Sequence, residues 1–287
     1  MTPDYSLTVV IPTLGGNLLG RSIELIMAGS VVPQKILIVI PEDRVSSLPN
    51  LKYNNVEVLT TKFRGQVQQR IAGFSKSQTH LVMQLDDDIE LAYDCIEILI
   101  GGMQTCIGKV ALAPALRYRK NKTSAFLNKK PNLYYWLMNG SKGYQAGSVY
   151  LSGSPEGVDF VGNCNFIESQ WLYGGCVLHR KGDLVLENFF PFKGKAYCEG
   201  LIHSAALKNK GIKLFFMPKA NAYFEMDSYI TYGPRVLINH LLNDFRARKY
   251  YNKYVGVRSN RIYFFYLVMI LNYLKSNVFR FWHHKNE

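Results

Sequence analysis

Residues 80–88 read HLVMQLDDD, an apolar run that ends in three consecutive aspartates. The apolar part is typical of a buried β-strand, and the acids stand at its carboxyl end. Three adjacent carboxylates repel one another, and a divalent cation commonly offsets the repulsion because hard cations prefer carboxylate oxygens. Residues i and i+2 of an extended segment face the same way, so we expect Asp86 and Asp88 to converge on one metal ion while Asp87 points elsewhere. The alternative is a solvated acidic turn that caps the next helix.

Strand and helix patterns alternate on the amino-terminal side of these acids. Continuous β-branched runs occupy Leu7–Ile11 and Ile36–Ile40, and apolar residues recur at helical spacing in Leu18–Met27 and Gln66–Phe74. This alternation predicts an α/β fold with a mostly parallel sheet covered by helices on both faces. Ligands of such sheets bind at the carboxyl ends of the strands, which is where HLVMQLDDD places its acids.

The composition is that of a globular chain with a strong basic excess. The 287 residues include 48% apolar residues, which is ample for one large domain or two small ones. Five cysteines without a C-x-x-C pair argue against a disulfide framework or a zinc knuckle. The first residues lack the basic and apolar regions of a signal peptide, so we expect a cytoplasmic location.

The basic residues concentrate at 117–130 and along the C-terminal part of the chain, and the formal net charge is +13. Nucleic acid, an anionic membrane surface and phosphate-bearing substrates are the partners that such a charge suits. The segment Ile262–Leu274 is apolar except for Asn272 and is flanked by basic residues. Three interpretations stay open for it: a core helix, an interfacial anchor on anionic lipid, or a membrane span that would have to include Lys275 and Arg280.

Several motifs, in this order, resemble the metal-dependent nucleotide-sugar glycosyltransferases with the GT-A fold, in particular the inverting group called family 2. They are VVIPT at 9–13, the acids that follow the second strand, LDDD at 85–88, GGCVLHR at 174–180, and YCEGL at 197–201 continuing to MP at 217–218. The resemblance covers about residues 7–225. It rests on the order and spacing of motifs that are individually unspecific.

The resemblance implies a nucleotide-sugar site at the strand ends. Its contacts would be Pro12, Thr13, Glu42, Asp43, Arg70, Asp86 and Asp87. Pro12 and Thr13 would lie against the nucleoside, and Asp43, with Glu42 as the alternative, would face the base or ribose. The planar guanidinium of Arg70 would suit phosphate.

The resemblance also implies a Mg²⁺ or Mn²⁺ ion held by Asp86 and Asp88, with Asp86 also near the ribose. Such an ion would stabilise the nucleoside diphosphate that leaves when the anomeric bond breaks. Many relatives supply a further His ligand after a P-x-A segment, but this chain continues from PKA at 218–220 to Glu225 and Asp227. Either acid is a candidate oxygen ligand. The alternative is a solvated strand end with water completing the coordination.

Glu199 is the candidate catalytic base, because the attacking hydroxyl must lose a proton to a nearby group. Relatives usually carry Glu-Asp here with the Asp as base, whereas this chain has Glu199-Gly200. Three explanations stay open: Glu199 does the work from one residue earlier, the base lies elsewhere, or activity is lost. His203 lies one helical turn on and shares the face of Glu199. It is either a structural histidine or a residue that orients Glu199 or meets phosphate.

The predicted acceptor site comprises Trp171, Gly174, Gly175 and His203. A ring such as that of Trp171 can stack on a sugar or can fill core space. The glycine pair would let a substrate approach the backbone closely.

The sequence therefore predicts a GT-A domain over 1–228, with a nucleotide-sugar half at 1–115 and an acceptor half at 116–228. A helical, basic extension would occupy 229–287. The predicted activity is inverting transfer of a sugar from a nucleotide-diphosphate donor to a glycan or glycolipid hydroxyl, on the inner membrane face. The alternatives are a related nucleotidyltransferase and a non-enzymatic binder of anionic membrane or nucleic acid. We expect no nucleic acid partner, because no nucleic-acid motif is present.

Overall fold

The computed structural model describes residues 6–50, 52–120, 132–158, 164–225 and 233–283. The strands are β1 (Leu7–Pro12), β2 (Lys35–Pro41), β3 (Val56–Thr61), β4 (Leu81–Leu85), β5 (Glu90–Leu91), β6 (Val110–Tyr118), β7 (Ile167–Glu168), β8 (Cys176–Arg180) and β9 (Lys213–Phe224). The helices are α1 (Asn17–Met27), α2 (Gln66–Lys76), α3 (Cys95–Thr105), α4 (Leu133–Asn139), α5 (Glu199–Asn209), α6 (Pro234–Tyr254) and α7 (Arg261–His283).

Within the described ranges all of these strands join one sheet in the order β3-β2-β1-β4-β8-β6-β9-β5, and β7 pairs with β9. Six strands, β1 to β4, β6 and β9, run in one direction, and β5, β7 and β8 run against them. The predicted α/β fold with a mostly parallel central sheet is confirmed. Strand β6 crosses residue 115, where the sequence suggests a boundary between two halves, and the division into domains stays a prediction.

The amino-terminal strands are buried on both faces, which explains their continuous apolar sequences. On one face Val9 and Ile11 pack with residues of α1 and α3 such as Ile23 and Leu99. On the other face Val10 packs with Phe74 of α2 and with neighbouring strand residues. This two-sided core fixes the strand ends that carry Thr13 and Asp86.

Strand β9 is one continuous element where the sequence suggests two strands at Ile212–Met217 and Ala222–Glu225. The pairing with β6 shifts register between Pro114–Met217 and Ala115–Asn221, so Pro218–Ala220 bulge out without ending the strand. Leu91 pairs with Ala222 in the short strand β5, and α3 begins four residues later.

The C-terminal residues are helical, as the sequence predicts, and they pack on the rest of the fold. Asp244 of α6 accepts hydrogen bonds from Arg248 at 2.8 Å and from Tyr266 of α7 at 2.6 Å. It also accepts a contact at 3.3 Å from the thiol of Cys198, the residue before α5. No helix within the described residues is long and apolar enough to cross a membrane. In Ile262–Leu274 one side packs against the protein, through residues such as Ile262 and Tyr266, and the other side is exposed.

The close packing of α2 on the sheet yields a stability prediction. A Cβ atom on Gly73 would lie 2.4 Å from Val10 Cγ1 and 2.9 Å from Val39 Cγ2, whereas one on Gly101 of α3 would meet nothing within 4 Å. We expect Gly73→Ala to lower the free energy of unfolding by about 1–3 kcal/mol through overpacking. Gly101→Ala should leave it unchanged or raise it by up to about 1 kcal/mol, because alanine favours helix.

Urea titration of both variants measures this difference. Equal effects on the unfolding midpoint would contradict the close approach of α2 to β1 and β2.

Candidate functional site

A cavity of about 530 Å³ opens at the carboxyl ends of the amino-terminal strands. Its lining includes Pro12, Thr13, Arg64, Gln69, Asp87 and Lys195. This volume lies in the range of small-molecule and cofactor sites. The structure therefore brings three of the predicted nucleotide contacts, Pro12, Thr13 and Asp87, to one cavity.

Hydrogen bonds hold the turn after β1 in place at the floor of this cavity. The Thr13 hydroxyl donates to the Asp87 carboxylate. The buried Gln69 amide donates to the carbonyls of Thr13 at 2.8 Å and Val39 at 2.7 Å. Sequence reasoning missed Gln69, although a glutamine at a helix position facing the sheet is the kind of buried polar residue that needs such partners.

Asp43 and Glu42 lie in a short 3₁₀ turn after β2, and both are exposed. Asp43 forms an ion pair with Arg64, which lines the cavity. A hydrogen bond from Arg64 lowers the pKa of the Asp43 carboxyl. Arg64 and Lys195, neither of which the sequence singled out, are the basic side chains in the cavity lining.

Arg70 lies beneath the site and does not open onto it, being only 1% exposed. Its guanidinium pairs with Glu199 through Nη1 and lies 3.1 Å from Asp86 Oδ1 through Nη2. Gln66 donates to the same Asp86 oxygen at 2.8 Å. The Arg70 guanidinium, which the resemblance assigns to phosphate, instead joins two carboxylates.

Burial and the neighbouring charges together set the pKa values of the side chains in this cluster. It raises the pKa of Asp86 to about 6, against the opposing effect of Arg70. Burial also acts to lower the pKa of Arg70, but Glu199 and Asp86 outweigh it and the pKa is raised. Arg70 is therefore a permanent cation beneath the site.

The Gly174-Gly175 pair fits closely against the two carboxylates. A Cβ atom on Gly174 would lie 1.9 Å from Glu199 Oε2, and one on Gly175 would lie 3.1 Å from Asp86 Oδ2. Gln84 of β4 donates to the Gly174 carbonyl at 2.7 Å, and the Asp86 amide donates to the Gly175 carbonyl at 2.8 Å. Glycine is thus required here to admit the carboxylates, whatever substrate approaches.

Gly200 explains the departure from the Glu-Asp pattern. A Cβ atom at this position would lie 2.7 Å from the Gly174 nitrogen and 2.9 Å from the Leu172 carbonyl oxygen. An aspartate side chain has no room there, because α5 packs directly on this backbone. Glu199, the first residue of α5, is the carboxylate that this packing leaves beside Arg70, where it is 5% exposed.

Trp171 and His203 are both core side chains in this structure. Trp171 is 7% exposed, and its indole donates to the Glu156 carbonyl at 2.8 Å. His203 is 2% exposed and stacks on Phe189. Burial lowers the pKa of His203 well below its usual value, so the ring is neutral at pH 7 and offers no charge to phosphate. These positions favour packing roles, and an acceptor role stays a prediction.

The aspartate run forms a turn rather than the extended strand end on which the i, i+2 argument relied. Asp87 reaches the cavity through Thr13, and Asp88 is exposed. Glu225 pairs with Arg119 at 2.5 Å, and Arg119 also pairs with Glu90 at 2.7 Å.

In the part of the chain that the structure describes, no group of three or more His, Cys, Asp or Glu side chains is placed to hold a metal. One or two carboxylates suffice where Mg²⁺ keeps several waters and binds substrate phosphates, and a metal ion held by Asp86 and Asp88 stays a prediction.

One solved structure, that of GalNAc-T7, supports the architecture. GalNAc-T7, solved with UDP, GalNAc and Mn²⁺, has a TM-score of 0.61 and 16% identity over 87% of this chain and 48% of its own. S. aureus TarS has a TM-score of 0.48 and 11% identity over 89% of this chain and 71% of its own. The chain spans about half of the GalNAc-T7 chain. No family model and no curated protein matches the sequence. The fold is the GT-A type.

The buried position of Arg70 predicts a large loss of stability when its charge is removed. Arg70→Met would leave Glu199 and Asp86 without their shared partner, and we expect a loss of about 3–5 kcal/mol in the free energy of unfolding. The matched control is Arg21→Met, since Arg21 is 58% exposed and pairs with Glu90 at 3.3 Å. Exposed pairs contribute less than about 1 kcal/mol. Similar losses in the two variants, measured by urea titration, would contradict the bridging role.

The packing at Gly200 predicts that restoring the Glu-Asp pattern fails. We expect Gly200→Ala to destabilise the protein by at least about 1–3 kcal/mol, since rigid backbone atoms oppose the new methyl group. Gly200→Asp should be worse still and should gain no activity. Gly182→Ala is the control, because a Cβ atom there meets nothing within 4 Å. Thermal unfolding of the three variants tests this, and a stable Gly200→Asp protein would refute it.

Proposed function

We propose that this protein is a glycosyltransferase that moves a sugar from a nucleoside-diphosphate donor to a hydroxyl of a glycan or glycolipid acceptor. The observation that carries the proposal is the cavity at the strand ends, with Thr13 and Asp87 on its floor and the Asp86–Arg70–Glu199 cluster beside it. Synthesis of a surface polysaccharide or glycolipid at the cytoplasmic side of a membrane is the setting that we infer.

The cavity suits a nucleoside diphosphate in both size and charge. Arg64 and Lys195 lie in its lining, where their cations can meet phosphate oxygens. Pro12 offers an apolar contact for the nucleoside, and Asp43 sits at the edge through its ion pair with Arg64.

A Mg²⁺ or Mn²⁺ ion completes the proposed donor site, with Asp86 and Asp88 as its protein ligands. The ion would stabilise the negative charge on the departing diphosphate. Asp86 Oδ1 already accepts from Gln66 and Arg70, so its Oδ2 atom, beside Gly175, is the oxygen proposed for the metal. Glu225 is a weaker candidate, because its carboxylate pairs with Arg119.

Glu199 is the proposed general base. Arg70 engages Oε1 and thereby orients the carboxylate, while Oε2 lies against Gly174. An acceptor hydroxyl that approaches along the glycine pair would come within hydrogen-bond reach of Oε2 and transfer its proton there. Attack by that hydroxyl on the anomeric carbon, as the diphosphate leaves from the opposite side, inverts the configuration.

Calorimetric titration tests the donor site. We expect one of UDP, GDP, CDP and dTDP to bind in the presence of Mn²⁺, and we expect the affinity to fall at least about tenfold in Asp88→Asn, since a metal ligand is lost. Asp94→Asn is the control, as Asp94 is an exposed acid at the start of α3. If none of the four nucleotides binds to the folded protein, the proposed function is overturned.

Replacing Glu199 tests the base separately from the donor site. Glu199→Gln keeps the shape of the side chain and an oxygen for Arg70, so nucleotide affinity should persist. Transfer of the sugar should fall by about 10²–10⁴-fold, the usual contribution of a general base. Product NMR should show an inverted anomeric centre in the wild type. Full turnover in Glu199→Gln, or a retained configuration, would rule out this mechanism.

A further inference from the structure

The C-terminal helices present an apolar face that the described residues do not cover. Seven large apolar residues of α7 are 42–57% exposed. Besides Met269 they are Tyr263, Phe264, Leu267, Ile270, Leu271 and Leu274. Their spacing of three, four and seven residues places them along one side of the helix. The opposite side is occupied, because Phe265 and Val268 pack against the cluster that contains Tyr135 of α4.

The same part of the chain is uniformly basic. Between residues 245 and 286 there are nine Lys and Arg residues and no Asp or Glu. Asp244, the acid just before this stretch, is engaged by Arg248 and Tyr266. Apart from the Arg248–Asp244 pair, the cations of this stretch therefore have no acidic residue between positions 245 and 286 to offset them.

A cleft of about 780 Å³ lies at the turn between α6 and α7. Three exposed cations line it, Lys249, Lys253 and Arg258, together with the rings of Phe245 and Tyr263. Tyr263 also belongs to the apolar face of α7, so the basic cleft and the apolar face form one continuous surface.

We propose that this surface docks on an anionic lipid bilayer, with a lipid phosphate in the cleft and the apolar face of α7 at the boundary between headgroups and acyl chains. Apolar burial and attraction of basic residues to anionic lipid are the two interactions that hold interfacial helices. A second copy of the chain is a poor occupant, since two surfaces of the same positive sign would meet. The proposal stands independently of the donor site.

Flotation of the full chain with vesicles tests the proposal. The protein should float with vesicles of phosphatidylcholine mixed with phosphatidylglycerol and much less with phosphatidylcholine alone. Combined Lys249→Gln and Lys253→Gln substitutions should weaken binding to anionic vesicles about 30-fold, since each basic residue near the surface contributes about fivefold. Lys52→Gln with Lys62→Gln, two exposed lysines elsewhere, should change it much less.

The apolar contribution is tested by Leu267→Glu combined with Leu271→Glu, which should abolish flotation. Ile107→Glu is the control, because Ile107 is fully exposed at a distant turn. Nucleoside-diphosphate titration and urea unfolding of each variant report on folding and on the donor site independently of lipid. Equal binding to neutral vesicles, or flotation that survives the α7 substitutions, would overturn the proposal. So would a gel-filtration shift from dimer to monomer in the α7 variant with flotation unchanged.

Discussion

A buried arginine organises the candidate site. Arg70 of α2 joins Asp86, at the end of β4, to Glu199, at the start of α5. Arg70 and Glu199 are separated by 129 residues in sequence. A buried charge is tolerated only when ionic and hydrogen-bonding partners surround it. The three segments can therefore assemble in few ways. The carboxylates in turn require glycine at the backbone positions that they contact.

The space that the two carboxylates and α5 occupy explains the glycines around the cluster. Gly174 and Gly175 admit the carboxylates of Glu199 and Asp86, and Gly200 lets α5 approach the backbone at Leu172. The missing aspartate of the Glu-Asp pattern follows from this packing and is not an isolated loss. A single close contact between α5 and the glycine pair accounts for the glycines on both sides of that contact.

Local patterns predicted most of the scaffold, because continuous apolar runs and helical spacing are properties of short segments. The resemblance assigned Thr13 to the nucleotide site, and Thr13 lines the cavity at the strand ends, although its role stays a prediction. The ion pair of Arg70 with Glu199 could not be predicted from local patterns, since the two residues are 129 positions apart. The bulge that keeps β9 continuous depends on pairing with β6, and the burial of Trp171 depends on helices that follow it. Tertiary context decided each of these.

The hydrogen bonds of Asp244 connect the C-terminal helices to the candidate site. Its carboxylate joins Cys198, immediately before Glu199, to Arg248 of α6 and Tyr266 of α7. These contacts tie both helices to the start of α5. If the exposed face of α7 docks on lipid as proposed, the carboxylate cluster would be held at one height above the headgroups. The protein would then act as a molecular ruler, selecting acceptors by how far their reactive hydroxyl stands from the bilayer.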